Sequence, residues 1–384
     1  MNLRRVLAVA NKEWREIRRD RIYMLLAFLM PMMLMLVFGY GMSQDVENVA
    51  LAIVDEDGTA LSRDYARHYI ESRHFAFRGY LPSARSADRL LADGRIKVVL
   101  IIPHRFAEKL MAGQAATVQT LVDGSFTTIA RTVRSYVDAI NQAADAGLKV
   151  RYLGARFGIA PARAAALVQP VQLQVRYLYN QEARSIWAVA PSLIMFTLTL
   201  VAPLLTALAV VREKESGAIY NVYASTITRG EFLAGKLLPS VGVSAANAAV
   251  LWLLATFYFG APFKGSLGFF ALATALFIVC ASSFGLIVSF LVRTQQAALI
   301  VASILAILLA MQFSGMLTPV SSMTGATAVI AHAFPPMYFQ NVIKGTFMKG
   351  IGLELLWPEV LYFISFAVLL IAIAYALFRK RVRS

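Results

Sequence analysis

The chain has 384 residues, 58% of them hydrophobic, and a mean hydropathy of +0.62, which excludes an ordinary soluble domain and points to an integral membrane protein. The formal charge of +15 does not signal nucleic acid, because Lys and Arg gather at the ends of long apolar runs. The single cysteine, Cys280, excludes an intrachain disulfide.

Residues 1–21 read as an amphipathic interfacial helix, with Leu3, Leu7, Ala10, Trp14 and Ile17 in one stripe beneath a face of Arg and Lys. The apolar run 22–42 is long for a signal peptide and lacks an A-x-A site. It is read as the first span, TM1.

Residues 43–185 form the one large polar stretch, an α/β domain in which strand and helix alternate. Strands are expected at 49–58, 75–80, 97–103 and 118–122. Helices are expected at 61–71, from a cap at Ser86 to Gly94, at 104–112, and from Ser125 through about Ala146. Asp55-Glu56-Asp57-Gly58 and Asp123-Gly124 end two strands and are read as turns rather than ligand sites. His68, His74 and His104 lack metal spacing, and no metal or catalytic site is expected.

Residues 186–378 hold TM2 to TM6. Spans are expected at 186–211, 237–259, 267–292, 297–317 and 360–378, each about twenty apolar residues or more. Pro191 and Pro203 fall in the second span. Apolar pieces too short to cross occupy 318–356, read as an outer re-entrant segment. Between the second and third spans lies a polar segment, 212–236, and a basic tail, 379–384, ends the chain. Arg4, Arg5, Lys12, Arg15, Arg18, Arg19, Arg21, Arg212, Lys214, Arg229, Lys236, Arg293, Arg379, Lys380, Arg381 and Arg383 then share one side. Short loops on the other side hold only Lys264, Lys344 and Lys349. By the positive-inside rule both termini and segment 212–236 are cytoplasmic, and the α/β domain is extracytoplasmic. The fold class is therefore membrane α-helical: six transmembrane helices with an extracytoplasmic α/β domain between helices 1 and 2.

No ionisable residue sits in the central turns of the spans, which argues against a carrier driven by an ion gradient. Gly230, Gly235 and Lys236 match the start of a phosphate-binding loop, but Leu237 stands where Ser or Thr would ligate Mg²⁺. ATP hydrolysis is thus expected on another chain. Uncharged polar residues in the spans, among them Ser244, Asn247 and Ser282, are expected to make helix–helix hydrogen bonds. Ser192, Thr197, Thr199, Gln312 and Ser314 are the candidates for lining a translocation path.

Arg212-Glu213-Lys214-Glu215-Ser216-Gly217, with Glu231 and Gly235-Lys236, resembles the R-E-K-E-x-G…E…G-K signature of type 2 ABC transporter permease chains (ABC-2 family, long form with a large extracytoplasmic domain). Ser314-Gly315 with Pro319 resembles that family's S-G-x-x-x-P. Pro336-Met337-Tyr338-Phe339 leading to Ile343-Lys344-Gly345 resembles its outer re-entrant segment. The resemblance implies a permease subunit of an ATP-driven exporter of drugs, lipids or other amphiphiles in the bacterial inner membrane, not itself an enzyme. It implies ABC ATPase subunits as partners, with ATP and Mg on them and no cofactor here. It also implies a second permease chain, identical or paralogous, with membrane lipids as surroundings and no nucleic acid. From its size and position alone, the α/β domain is expected to receive substrate or to dock a periplasmic adaptor. By the same analogy Arg212, Glu213, Lys214, Glu215, Gly217 and Trp14 couple the spans to the ATPase. The competing reading is an outer-facing sensor or assembly scaffold acting through the α/β domain.

Overall fold

The computed structural model describes residues 2–42, 48–125, 127–168, 178–182 and 184–378. The expected basic tail, 379–384, lies outside them. Contacts divide the chain into a membrane unit, Met1–Ser43 with Tyr177–Ser384, and a second unit, Gln44–Arg176.

The chain opens with α1 (Leu3–Arg19), capped by Asn2, whose side chain accepts from Arg4 N. Asp20 then caps α2 (Arg21–Gly41), which carries a π turn at Leu25–Leu29.

The second unit is built on β1 (Val49–Asp55), α3 (Ala60–Ile70), β2 (Phe75–Tyr80), α4 (Ala84–Ala92), β3 (Val98–Ile102), α5 (Phe106–Met111), β4 (Gln119–Val122), α6 (Thr127–Phe157) and α7 (Pro161–Val168). The sheet order is β2-β1-β3-β4, with β1 parallel to β2 and β3, and β4 antiparallel to β3. Central strands covered on both faces need unbroken apolar runs, and β1 (VALAIVD) and β3 (VVLII) supply them. Leu51, Ile53, Val98, Leu100 and Ile102 face α3 and α6, while Ala52, Val54, Val99 and Ile101 face α4. The cap of α4 is Ser83, not Ser86, which lies inside the helix and receives the cap through its N–H. α6 runs on past Ala146 to Phe157, because its later turns pack on α7.

Asp55 Oδ1 accepts from the N–H groups of Asp57 and Gly58, at 3.1 and 3.0 Å, and its Oδ2 accepts from Ser62 Oγ at 2.8 Å. Gly58 sits at φ +62°. Asp123 accepts from Ser125 N and Lys97 Nζ. These acidic residues close turns, with their oxygens spent on the chain itself.

The remaining helices are α8 (Ser185–Glu215), α9 (Ile219–Ala224), α10 (Arg229–Tyr258), α11 (Leu267–Leu291), α12 (Gln295–Gln312), α13 (Ala326–Ala333), α14 (Pro335–Lys344) and α15 (Leu353–Leu377). Among the described residues six helices (α2, α8, α10, α11, α12 and α15) are long and apolar enough to cross a membrane. α8 is apolar around its whole circumference and is the axis of the unit, as that pattern requires. It stays helical through Pro191 and Pro203. At Gly285, α11 lies so close to α8 that an added Cβ would stand 2.2 Å from Pro203 O.

Several expected boundaries move. α8 continues to Glu215 and α10 starts at Arg229, so the expected loop 212–236 is mostly helix at both ends. α12 ends at Gln312 rather than Leu317, before Gly315 at φ +81°. α15 starts at Leu353, seven residues before the expected Val360, and kinks at Leu356 ahead of Pro358.

Candidate functional site

The last turn of α8 is a hub. Successive helical residues turn by about 100°, so four in a row face four directions. Arg212 reaches α1: its guanidinium lies 3.3 Å from Glu13, 3.0 Å from Glu16 and 3.0 Å from Asp20. Glu213 Oε1 takes Lys12 of α1 at 2.6 Å and Lys236 of α10 at 3.0 Å. Lys214 Nζ donates to Ser289 O at 2.5 Å, satisfying a carbonyl in the last turn of α11. Glu215 accepts from Gln295 Nε2 at 2.6 Å, at the first turn of α12. The four charges thus tie α8 to α1 and α10, to α11, and to α12. Gly217, at φ +75°, then ends the helix in the left-handed conformation a Cβ would disfavour.

Lys236 completes the hub from α10. It is fully buried, and its three donors go to Glu13, Glu213 and the carbonyl of Ala209 at 3.0 Å. Burial is the largest influence on the Glu13 carboxyl and lifts it above the ordinary range, against the pull of Lys236 and Arg212. For Lys12, burial pulls down, but the hydrogen bond and charge of Glu213 outweigh it and hold the ammonium above its ordinary value. Glu13, Glu16 and Glu213 bring carboxylate oxygens within 4.8 Å of one another. Lys12, Arg212 and Lys236 stand among them as counter-ions.

Next to this network Gly235 meets α1 so closely that a Cβ would stand 2.6 Å from Val9. Glu231 closes a capping box with Thr228 and also accepts from Asn2 N at 2.7 Å. Gly235-Lys236 is therefore a packing and ion-pair motif, in keeping with the missing Mg²⁺ ligand.

The face α1 turns to the protein differs from the expected stripe. Val6, Glu13 and Ile17 are buried, while Leu3, Leu7 and Trp14 are exposed. α1 thus carries two apolar faces, one on α10 and one free. Missing from the sequence reading were Lys12, Glu13, Glu16 and Asp20. The available signal was their spacing, since Glu13, Glu16 and Asp20 form an acidic stripe on an otherwise basic helix.

The five path candidates do not gather in one lining. Ser192 accepts from Gln340 Nε2 of α14 at 2.6 Å. Thr199 donates to Met195 O of its own helix, and Thr197 Oγ1 is buried with no partner among the described residues. Gln312 is exposed at the end of α12, and Ser314 donates to Ala310 O. Among the described residues the expected helix–helix bonds are absent at Ser244, Asn247 and Ser282, whose buried side chains have unpartnered polar atoms. Other hydroxyls, such as Thr206 and Ser283, bond back to the carbonyl four residues earlier.

The spans, the hub and the separate α/β unit define a multi-pass membrane transport subunit. A model of the ABC-2 family transporter proteins matches residues 21–376, and the chain belongs to that family as the permease of an ABC transporter, not its ATPase. It is 28% identical to the probable multidrug ABC transporter permease YbhS of Escherichia coli (strain K12), over 99% of this chain and 98% of that one. To YbhR of the same organism, also a probable multidrug ABC transporter permease, it is 24% identical over 98% and 99% of the two chains. To the inner membrane transport permease YhhJ it is 26% identical over 99% and 98%.

Proposed function

We propose that this chain exports drugs or other amphiphiles across a bacterial inner membrane, driven by separate ABC ATPase subunits that bind ATP and Mg at its hub end. The drug cargo and the inner membrane are suggested by the names of the relatives YbhS, YbhR and YhhJ. The observation that carries the coupling is the Arg212–Glu215 hub, where one helical turn holds α1, α10, α11 and α12. Arg212, Glu213 and Lys214 spend their charges on neighbouring helices. The surface left for an ATPase is α9, with Tyr220 56% exposed, and the basic side of α1. A push there reaches α1 and α8 together, biasing the helices between two packings. In this reading the hub end is cytoplasmic, two permease chains pair, and a periplasmic adaptor meets the α/β unit.

A photo-crosslinking residue at Tyr220, in cells expressing the partner ABC ATPase, tests the docking. Capture of the ATPase at position 220 and none at Tyr80 of the α/β unit supports the reading. Capture only at Tyr80, or none at either site while transport proceeds, overturns it.

A further inference from the structure

Beside the ion-pair network lies a cleft that the network does not fill. It holds about 430 Å³, within the range of roughly 300–1,000 Å³ typical of small-molecule sites. Three helices line it, each with a polar residue at the hub end and a leucine deeper in. The pairs are Asp20 with Leu26 at the start of α2, Arg212 with Leu208 on α8, and Gln295 with Leu299 on α12. In the last two pairs the residues are four apart, one turn along the same helix face. The three leucines pack into one apolar cluster. The cleft is therefore polar at the hub end and apolar one turn inward, the order in which an amphiphile carries its own groups.

Which head group fits follows from what the polar side chains have left to give. The Arg212 guanidinium is shared among Glu13, Glu16 and Asp20. Three carboxylates on one cation leave it no charge to offer an anion. The first amides of the two entering helices are also taken. Asp20 Oδ1 accepts from Ile22 N and Tyr23 N, Glu215 from Gln295 N, and Thr294 Oγ1 from Ala297 N. Glu215 also lines the cleft, and it spends only Oε2, on Gln295. Among the described residues its Oε1 is the one carboxylate oxygen of the wall without a partner. Arg21 and Arg293 adjoin the wall in sequence but do not line it.

We propose that this cleft binds an amphiphile bearing an ammonium group. The ammonium donates to Glu215 Oε1, with Asp20 on the same wall, and the apolar body lies on Leu26, Leu208 and Leu299. A charge-assisted hydrogen bond of this kind is about twice as strong as a neutral one. The same chemistry belongs to a lipophilic amine drug and to an ethanolamine phospholipid. That a bound drug is cargo rests on the export reading; the binding itself does not.

The test uses the full chain without its ATPase, in phosphatidylcholine nanodiscs, with an octylammonium probe carrying a diazirine at mid-chain. Illumination is expected to label peptides containing Leu208 and Leu299 in excess of Val368, an exposed position on α15. The matching octanol probe is expected to label all three evenly. Glu215→Gln, which keeps an acceptor for Gln295, is expected to weaken the apparent affinity by about tenfold, the effect of one hydrogen bond to a charged group. Leu299→Trp fills the apolar end, leaves both carboxylates in place, and is expected to abolish the excess. Melting curves confirm that each variant is folded. Exchanging phosphatidylcholine for phosphatidylethanolamine separates the two sources: competition assigns the site to the lipid amine, and undiminished labelling assigns it to a drug-like amine. An equal excess for the ammonium and alcohol probes, stronger labelling by an octyl phosphate probe, or an excess untouched in both variants overturns the proposal. With no ATPase present, failure of export would leave this result standing, and the reverse holds as well.

Discussion

Lys236 and Glu13 meet with 1% of either side chain exposed, although 223 positions separate them in the sequence. Removing one partner of a buried ion pair strands the other, at about 3–5 kcal/mol. Lys236→Ala is therefore expected to lower the melting temperature sharply, measured by fluorescence in detergent. Lys236→Met with Glu13→Gln, which removes both charges, is expected to recover most of the loss. Equal destabilisation by the single and double variants would contradict the pairing.

Glu215 provides the contrast within the same turn. Its bond to Gln295 is exposed, and such contacts contribute about 1 kcal/mol or less. Glu215→Ala is expected to leave membrane insertion and melting nearly unchanged, whereas Glu213→Ala, which takes one carboxylate partner from both Lys12 and Lys236, lowers both stability and ATP-driven transport. Melting curves of the two variants side by side decide it.

Gly285 marks a helix contact that admits no side chain, and Gly242 stands in open space. A Cβ at Gly285 would fall 2.2 Å from Pro203 O, a backbone atom that cannot step aside. Gly285→Ala is expected to cost about 1–3 kcal/mol or more from overpacking. Gly242→Ala, where nothing lies within 4 Å, is expected to be neutral or slightly stabilising, since Ala suits a helix better than Gly. Thermal melts of the two alanine variants make the comparison.

Acid sensitivity is expected in the α/β unit. A hydrogen bond from Lys97, then those from Ser125, hold the Asp123 carboxyl below its ordinary value of 3.8, and a hydrogen bond from Arg151 does the same for Asp64. Carboxyls with a depressed folded-state value stabilise the fold above the unfolded value, and that contribution disappears as pH falls through the folded one. Stability should therefore decline from about pH 4 downward. Asp123→Asn should flatten the decline, read as melting temperature against pH from 5 to 2.5. A variant curve parallel to the wild type would contradict this.

How far these features were legible in the sequence follows from the range of the forces involved. Apolar runs and cation placement are local, so all six spans and both central strands were readable. Boundaries slipped where packing extended a helix, as at Arg229–Lys236, whose polar turn is helical because Glu231 and Lys236 find partners on α1. Ser83 rather than Ser86 caps α4 because the two serines sit one turn apart and offer the same hydroxyl. The signature at Arg212–Glu215 was recognisable as a motif. Its inward direction was not, since Lys12 and Glu13 come within reach only after α1 folds back onto α10. The polar residues of the spans were the hardest to assign, because a hydroxyl can be satisfied by its own helix and leave no trace in the pattern.

If α1, α8 and α10 move as one body, a push at the hub end reaches the spans. Arg5 of α1 donates to Thr226 O, just ahead of α10, at 2.9 Å, and cysteines at these two exposed positions in a Cys280→Ala chain, bridged by a reducible bifunctional maleimide, would tie α1 to the start of α10. The decisive measurement is ATP-dependent uptake of a fluorescent amphiphilic dye into inverted membrane vesicles, before and after crosslinking and again after reduction. Uptake that is equal in all three conditions is predicted; uptake that stops on crosslinking and resumes on reduction would contradict this coupling.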